Sequence, residues 1–324
     1  MAPTALITGI AGQDGSYLSE LLLEKGYEVH GMVRGSPSEL YPRLAHLGGA
    51  INLHTGDLLD DRSLDEVVRA CEPDEIYNLA GMSFVAASWP QPVLAAESNA
   101  VGVVRLLEAM REVVPEARFY QASSSEVFGD PREVPQTEAT PFSPTSPYGA
   151  AKAYGHFVTV AYRESYGLFA CAGILYNHES ERRGLDLVTR KVSHGAAAIK
   201  LGLQEELLLG DLDAQRDWGH ARDYVEAMWL MLQEEQPEDY LIATGESHSV
   251  RDLITVAFDH VGLDPEPYIR IDPRFRRPAD VGMLVGDASK ARERLGWAPH
   301  TSFDALVRQM VDADLAALAA EHRV

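Results

Sequence analysis

Residues 5–26 read ALITGIAGQDGSYLSELLLEKG. Ala5 to Thr8 is a short, mostly apolar run of strand length, and three glycines follow at Gly9, Gly12 and Gly15 with the spacing G-x-x-G-x-x-G. From Tyr17 to Lys25 the period changes. Leu18, Leu21 and Leu22 share one helical face, and Gly26 stops the helix. In a strand–turn–helix unit the first glycine permits a tight turn. The second lets a pyrophosphate approach the backbone, and the third lets the helix pack closely on the strand. The helix N-terminus then offers unpaired N–H groups to phosphate oxygens. The stretch predicts a dinucleotide site, with Gly9, Gly12, Gln13, Asp14 and Gly15 as its floor.

Outward from this unit the alternation continues. Strands are expected at Tyr27–Val33, Ile51–His54, Glu75–Leu79 and Ala117–Ala122, and helices at Ser63–Cys71, Ala95–Val113 and Pro147–Tyr166. Strands alternating with helices imply a parallel sheet covered on both faces, an α/β Rossmann-type fold. After about residue 178 the pattern loosens. Helices are expected at Val188–Leu203, Ala221–Gln233, Ser249–Val261, Ser289–Leu295 and Ser302–Ala317, and Pro265–Pro278 reads as a loop. Tyr240–Ala243 reads as a strand returning to the main sheet. The expected division is a dinucleotide-binding domain over 1–178, joined by 219–245, and a smaller C-terminal substrate lobe over 179–218 and 246–324.

Bulk properties narrow the function. The 324 residues carry a formal net charge of -21, which argues against sequence-independent nucleic-acid binding because that needs a basic face. An anionic small ligand needs only a local group of arginines and helix N-termini. No apolar run approaches the roughly 20 residues that span a bilayer, so no membrane partner is expected. MAPTALITGIAGQDG lacks a basic segment followed by an apolar stretch, and the two cysteines, Cys71 and Cys171, are not in metal-ligand spacing. The expectation is a cytoplasmic enzyme with reduced thiols and no metal.

The second strand ends Met32-Val33-Arg34-Gly35-Ser36. An acid at that point would bind the adenosine ribose 2′-OH of NAD. Arg34 and Ser36 instead suit a 2′-phosphate, so NADP is expected, with NAD as the alternative. Asp57 and Leu58 at the next strand end would lie near the adenine, and Leu79, Ala80 and Gly81 are small enough for close approach to the cofactor.

The segment Ala122–Lys152 reads ASSSEVFGDPREVPQTEATPFSPTSPYGAAK. Tyr148 and Lys152 stand at i and i+4 on an expected helix and share a face. A lysine ammonium beside a phenol stabilises phenolate, so the pair is expected to have a lowered phenol pKa and to act as base on a substrate hydroxyl while hydride leaves the same carbon.

Gly9, Gly12, Gly15, Ser124, Tyr148 and Lys152 together resemble the extended short-chain dehydrogenase/reductase family over nearly the whole chain. The closest subfamily is GDP-mannose 4,6-dehydratase. Its longer signatures are recognisable as GIAGQDGSYL, FYQASSSEVFG, PQTEATPFSPTSPYGAAK, GILYNHESERRG, VTRKV, LDAQRDWGHARDYVEAMWLMLQ and IATGESHSVRDL. The resemblance implies a nucleotide-sugar 4,6-dehydratase, a lyase acting on GDP-mannose. Tyr148, with Lys152 and Ser124, would take the C4 hydroxyl proton during oxidation at C4. Glu126 would remove the C5 proton and assist loss of the C6 hydroxyl as water, and hydride would return to C6. The alternative on the same fold is a nucleotide-sugar 4-epimerase or 4-ketoreductase, which needs Tyr148 and Lys152 but not Glu126.

By position the resemblance places Ser83, Tyr148, Lys152, His178 and Arg183 beside the cofactor. It places Ser83, Ser124, Glu126, Asn177, Val188, Lys191, Arg216, Arg277 and Asp280 along the nucleotide-sugar pocket. It also implies a homodimer or homotetramer, paired through the helices expected at Ala95–Val113 and Pro147–Tyr166. The chain departs from the family in several places. Ser124 stands for threonine, Gly35 for a frequent arginine, LAGMSFV for the usual LAAQSHV, and Asp280 for glutamate, and the loop before Asp272 is shortened.

Overall fold

The computed structural model describes residues 2–275 and 283–322. Arg277 and Asp280 lie outside the described residues. The strands are β1 (Thr4–Thr8), β2 (Glu28–Val33), β3 (Ile51–Thr55), β4 (Glu75–Asn78), β5 (Arg118–Ala122), β6 (Phe169–Leu175), β7 (Asn177–Glu179), β8 (Leu207–Leu209), β9 (Gln215–Arg216), β10 (Trp218–His220), β11 (Tyr240–Ile242), β12 (His248–Ser249) and β13 (Ile269–Ile271). The helices are α1 (Gln13–Glu24), α2 (Asp61–Cys71), α3 (Pro92–Ala96), α4 (Gly102–Val113), α5 (Pro147–Tyr166), α6 (Val188–Lys200), α7 (Ala221–Gln233), α8 (Val250–Val261), α9 (Ser289–Leu295) and α10 (Phe303–His322).

Seven strands form the main sheet in the order β11-β6-β5-β4-β1-β2-β3, and every pairing in it is parallel. A parallel sheet is buried on both faces, so its strands read as apolar runs rather than as alternation. Along β1, Ala5 and Ile7 face one core with Leu18 of α1 and Met228 of α7, whereas Leu6 faces a second core with Leu64 of α2 and Leu107 of α4. Leu6 and Ile7 are fully buried, and each contributes about 1.5–3 kcal/mol relative to exposure. The expected return of Tyr240–Ala243 is seen as β11 on the sheet edge, paired with β6.

Several elements differ from expectation, among them β13, which lies within the expected loop Pro265–Pro278. β6 is absent from the sequence reading because its uninterrupted run FACAGIL follows the end of α5 with only Gly167 and Leu168 between. The single helix expected over Ala95–Val113 is instead α3, a π turn at Glu97–Val101 and α4. Beyond the sheet, α6, α8 and α10 enclose a third core around Val192, Leu253 and Met310, fringed by short two-stranded pairs. Both cysteines are free and buried. Among the described residues no helix is long and apolar enough to cross a membrane.

Candidate active site

The turn after β1 has the geometry its glycines predict. Gly9 has φ +71, and a side chain there would meet the Ala80 backbone nitrogen at 2.9 Å. A side chain at Gly15 would come within 2.5 Å of the Gly9 carbonyl oxygen and of Ile10 Cα, so only glycine lets α1 begin this close to the turn. Thr8 Oγ1 donates to Asn78 Oδ1 at 2.7 Å and accepts from the Ala80 N–H at 3.1 Å, which joins the ends of β1 and β4. Between these ends lies a cavity of about 690 Å³, lined by Gly9, Gly12, Gln13, Asp14, Gly15, Arg34, Asp57, Leu58, Leu79, Ala80, Gly81, Ser83 and Arg183 from the expected set. Its place at the C-terminal ends of parallel strands is where such sheets bind ligands, and the cradle fits a nicotinamide dinucleotide. Ser36 does not line it: its N–H donates to Glu39 Oε1 at 2.9 Å, and Glu39 lines the cavity in its stead.

The catalytic candidates meet at the end of β5. Ser124 caps a short 3-10 turn, its Oγ accepting from the Glu126 N–H at 3.2 Å. Ser146 caps α5 by accepting from the Gly149 N–H at 3.0 Å, and Pro147 occupies the first turn. Gly149 lets α5 start against the Glu126 backbone, because a side chain there would lie 2.5 Å from the Glu126 carbonyl oxygen. Ser124, Glu126, Tyr148 and Lys152 are all buried. Lys152 Nζ donates to the Ala122 carbonyl at 2.9 Å and lies 5.8 Å from the Tyr148 ring centroid.

The expected lowering of the phenol pKa by lysine is not what the chain's own groups produce. Burial pushes Tyr148 up to about 12, and the Ser124 hydrogen bond and Arg183 offset this only in part against Glu126 and Asp14. Burial also lowers Lys152 to about 8, opposed by the Asp14 carboxylate. Desolvation disfavours the charged form of each, and in this site it outweighs the Ser124 hydrogen bond and Arg183 at Tyr148 and the Asp14 charge at Lys152.

His178 does not line the cavity. It braces the glycine turn from behind. Its Nε2 lies 2.8 Å from Asp14 Oδ2, its Nδ1 lies 2.7 Å from the Tyr176 carbonyl, and its ring stacks on Tyr224 with centroids 4.7 Å apart. Gln13 Nε2 donates to the His178 carbonyl at 3.1 Å, so two side chains of the turn reach β7. Burial would raise the Asp14 carboxyl, but His178 and Arg183 hold it at about 2. Arg183 in turn pairs with buried Glu179 at 3.1 Å.

The remaining candidates are spread over the lobe. Asn177 begins β7, Val188 begins α6, Lys191 Nζ stacks 3.6 Å from the Phe275 ring centroid, and Arg216 lies on β9 opposite His248. None of these four lines the cavity at the glycine turn or its neighbour. That neighbour, of about 580 Å³, is lined by Arg43, His46, Arg182, Arg183 and Arg190 and shares Arg183 with the first. The sequence reading missed Met32, Glu39, Tyr41, Met82 and Ser98 on the first cavity wall. For Glu39 the one signal was Gly35, whose missing side chain makes room for it.

Comparison with known proteins agrees with this geometry. The family described as GDP-mannose 4,6 dehydratase matches residues 6–310. GDP-mannose 4,6 dehydratase 1 of Arabidopsis thaliana is 52% identical over 323 residues, covering 96% of this chain and 89% of its own. The Homo sapiens GDP-mannose 4,6 dehydratase is 48% identical over 338 residues, covering 96% and 91%. Among solved structures, the Thermus thermophilus UDP-glucose 4-epimerase complex with NAD superposes with a TM-score of 0.86 at 28% identity, over 97% of this chain and 99% of that one.

Proposed function

This chain belongs to the GDP-mannose 4,6 dehydratase family, and from that membership we propose that it is an NADP-dependent lyase converting GDP-mannose to GDP-4-keto-6-deoxymannose. The observation that carries the reading is the burial of Ser124, Glu126, Tyr148 and Lys152 together at the end of β5. The group lies close enough to the dinucleotide cavity that Asp14 and Arg183 act on Tyr148. Two bases are needed, one for the C4 hydroxyl and one for C5, and two are present.

Tyr148 takes the C4 hydroxyl proton, with Ser124 hydrogen-bonded to it and Lys152 one helical turn away. When bound, the oxidised nicotinamide supplies the hydride acceptor and a positive charge that favours the Tyr148 phenolate. The resulting 4-ketone acidifies the C5 proton, which Glu126 removes, and the C6 hydroxyl leaves as water with a proton from Glu126. As hydride returns to C6, the proton that Tyr148 took from the C4 hydroxyl is returned through solvent to C5 of the enolate, and the four side chains end in their starting protonation states. One water is lost and no reductant is consumed.

The glycine turn, Arg34, Asp57, Leu58, Leu79, Ala80, Gly81, Ser83 and Arg183 hold the dinucleotide, and Arg34 favours a 2′-phosphate. The lobe over 179–218 and 246–324 carries the nucleotide sugar through Val188, Lys191, Arg216, Arg277 and Asp280, with Ser83, Ser124, Glu126 and Asn177 contacting it from the dinucleotide-binding domain. Exposed Tyr154 and Phe157 on α5 and Val101 beside α4 suit a homodimer contact between helices of two copies.

Incubation with GDP-mannose and catalytic NADP should yield the 4-keto-6-deoxy product. Glu126→Gln should reduce its formation by roughly 10²–10⁴-fold, the range for one general acid–base group. Unmutated rates in that variant would remove Glu126 from the mechanism. A C4 epimer as sole product would point to the epimerase reading.

A further inference from the structure

Two opposite charges line one end of the dinucleotide cavity. Arg34 directly follows β2 and Glu39 comes five residues later, and both line the cavity with Gly35, Tyr41, Asp57 and Leu58. Among the described residues these two side chains form no ion pair with each other, and both line the cavity. Glu39 is fixed by two features. Its Oε1 accepts the Ser36 N–H at 2.9 Å. Its carboxylate also fills the space where a side chain on residue 35 would begin, because a Cβ on Gly35 would lie 2.5 Å from Oε2 and 2.8 Å from Oε1. Glycine at 35 and the Glu39 position are therefore coupled. Any larger residue at 35 would displace the carboxylate.

A carboxylate just past the second strand accepts from a ribose 2′-hydroxyl. It repels a 2′-phosphate, which carries roughly -1.5 to -2 charges at neutral pH. The carboxylate is meanwhile held in place by the Ser36 N–H. We propose that Glu39, seated by the Ser36 N–H and by the missing side chain at Gly35, is a specificity-determining residue that lets this enzyme accept a dinucleotide with a free ribose 2′-hydroxyl. It counters the preference for a 2′-phosphate that Arg34 alone would impose. The inference rests on the dinucleotide reading of the cavity.

The test measures dissociation constants of NAD and NADP by calorimetry, without sugar substrate or turnover. Wild type should bind the two within roughly tenfold of each other. Glu39→Gln should shift the ratio toward NADP by about tenfold, the scale of one charge contact a few ångströms away in a solvated site. Gly35→Ala should shift it the same way although Glu39 is retained, because the carboxylate is pushed off its seat. Arg34→Gln should weaken NADP and leave NAD nearly unchanged. A wild type that prefers NADP more than about 100-fold would overturn the proposal, as would an unchanged ratio in both Glu39→Gln and Gly35→Ala. If neither nucleotide binds wild type, the cavity reading fails and takes the proposal with it.

Discussion

Replacing Asp14 by Asn probes the charge pair that joins the glycine turn to β7. The two ring nitrogens of His178 face the Tyr176 carbonyl at 2.7 Å and Asp14 Oδ2 at 2.8 Å. Neither oxygen can donate, so both nitrogens must carry hydrogens and the ring is an imidazolium. Its pKa is accordingly raised: burial alone would lower it, but the Asp14 charge and hydrogen bond reverse that. The Asp14 carboxyl falls from 3.8 to about 2, and its side chain is 21% exposed, shielded enough for the shift to count toward stability. At about 1.4 kcal/mol per pH unit the pair contributes about 2 kcal/mol. Because the Asp14 pKa is lowered, its contribution is present above the ordinary carboxylate range and is lost as pH falls through about 2. Because the His178 pKa is raised, its contribution is full below the ordinary imidazole value and is lost as pH rises through the folded value. Asp14→Asn should cost about 2 kcal/mol between pH ~4 and ~6.5, a fall of several degrees in Tm, and the cost should shrink on the alkaline side. Thermal unfolding across pH measures it, and ring ¹⁵N spectra report the His178 charge directly. An unchanged Tm near pH ~5, or a deficit that widens with alkali, would refute the charge-pair argument.

Other substitutions test the cradle and the base. Gly15→Ala puts a methyl 2.5 Å from backbone atoms of Gly9 and Ile10, so α1 must shift. Dinucleotide affinity should fall by at least about tenfold with a lower Tm, and wild-type affinity by calorimetry would contradict the close-packing role of that glycine. The ammonium of Lys152, lowered to about 8 by burial, should give kcat/KM an alkaline limb near that pH. A flat profile through pH ~9 would show that its charge is not used in the free enzyme.

What the sequence disclosed follows from how local each requirement is. The turn at Gly9, Gly12 and Gly15 was legible because each glycine answers a backbone constraint met within a few residues, apart from the contact with Ala80. Tyr148 and Lys152 were legible because a helical period brings them together. β6 was not, because a doubly buried strand has no alternation to distinguish it from helix. The π turn at Glu97–Val101 was not, because one extra residue in a turn leaves the surrounding apolar period nearly intact. The Asp14–His178 pair spans 164 residues, and no periodicity encodes such a contact. Glu39 was hidden in an exposed loop, where a carboxylate ordinarily means only solvation.

The reversed pKa expectation at Tyr148 has the same origin and a chemical consequence. A sequence shows that a lysine stands one helical turn from a phenol, but it does not show how deeply both are buried, and burial decides the sign here. Lys152 spends its hydrogen bond on the Ala122 carbonyl, and desolvation raises Tyr148 to about 12 while lowering Lys152 to about 8. Ser124 and Arg183 pull the phenol down, and Glu126 and Asp14 push it up. The carboxylate proposed for the elimination thus works against the base proposed for the oxidation. The Asp14 field on Tyr148 is opposed by Arg183, while His178 and Arg183 both hold the Asp14 carboxyl down. Positive charge delivered by an oxidised nicotinamide would act in the same direction as Arg183, so the proposed proton removal by Tyr148 would be favoured most with a hydride acceptor in place.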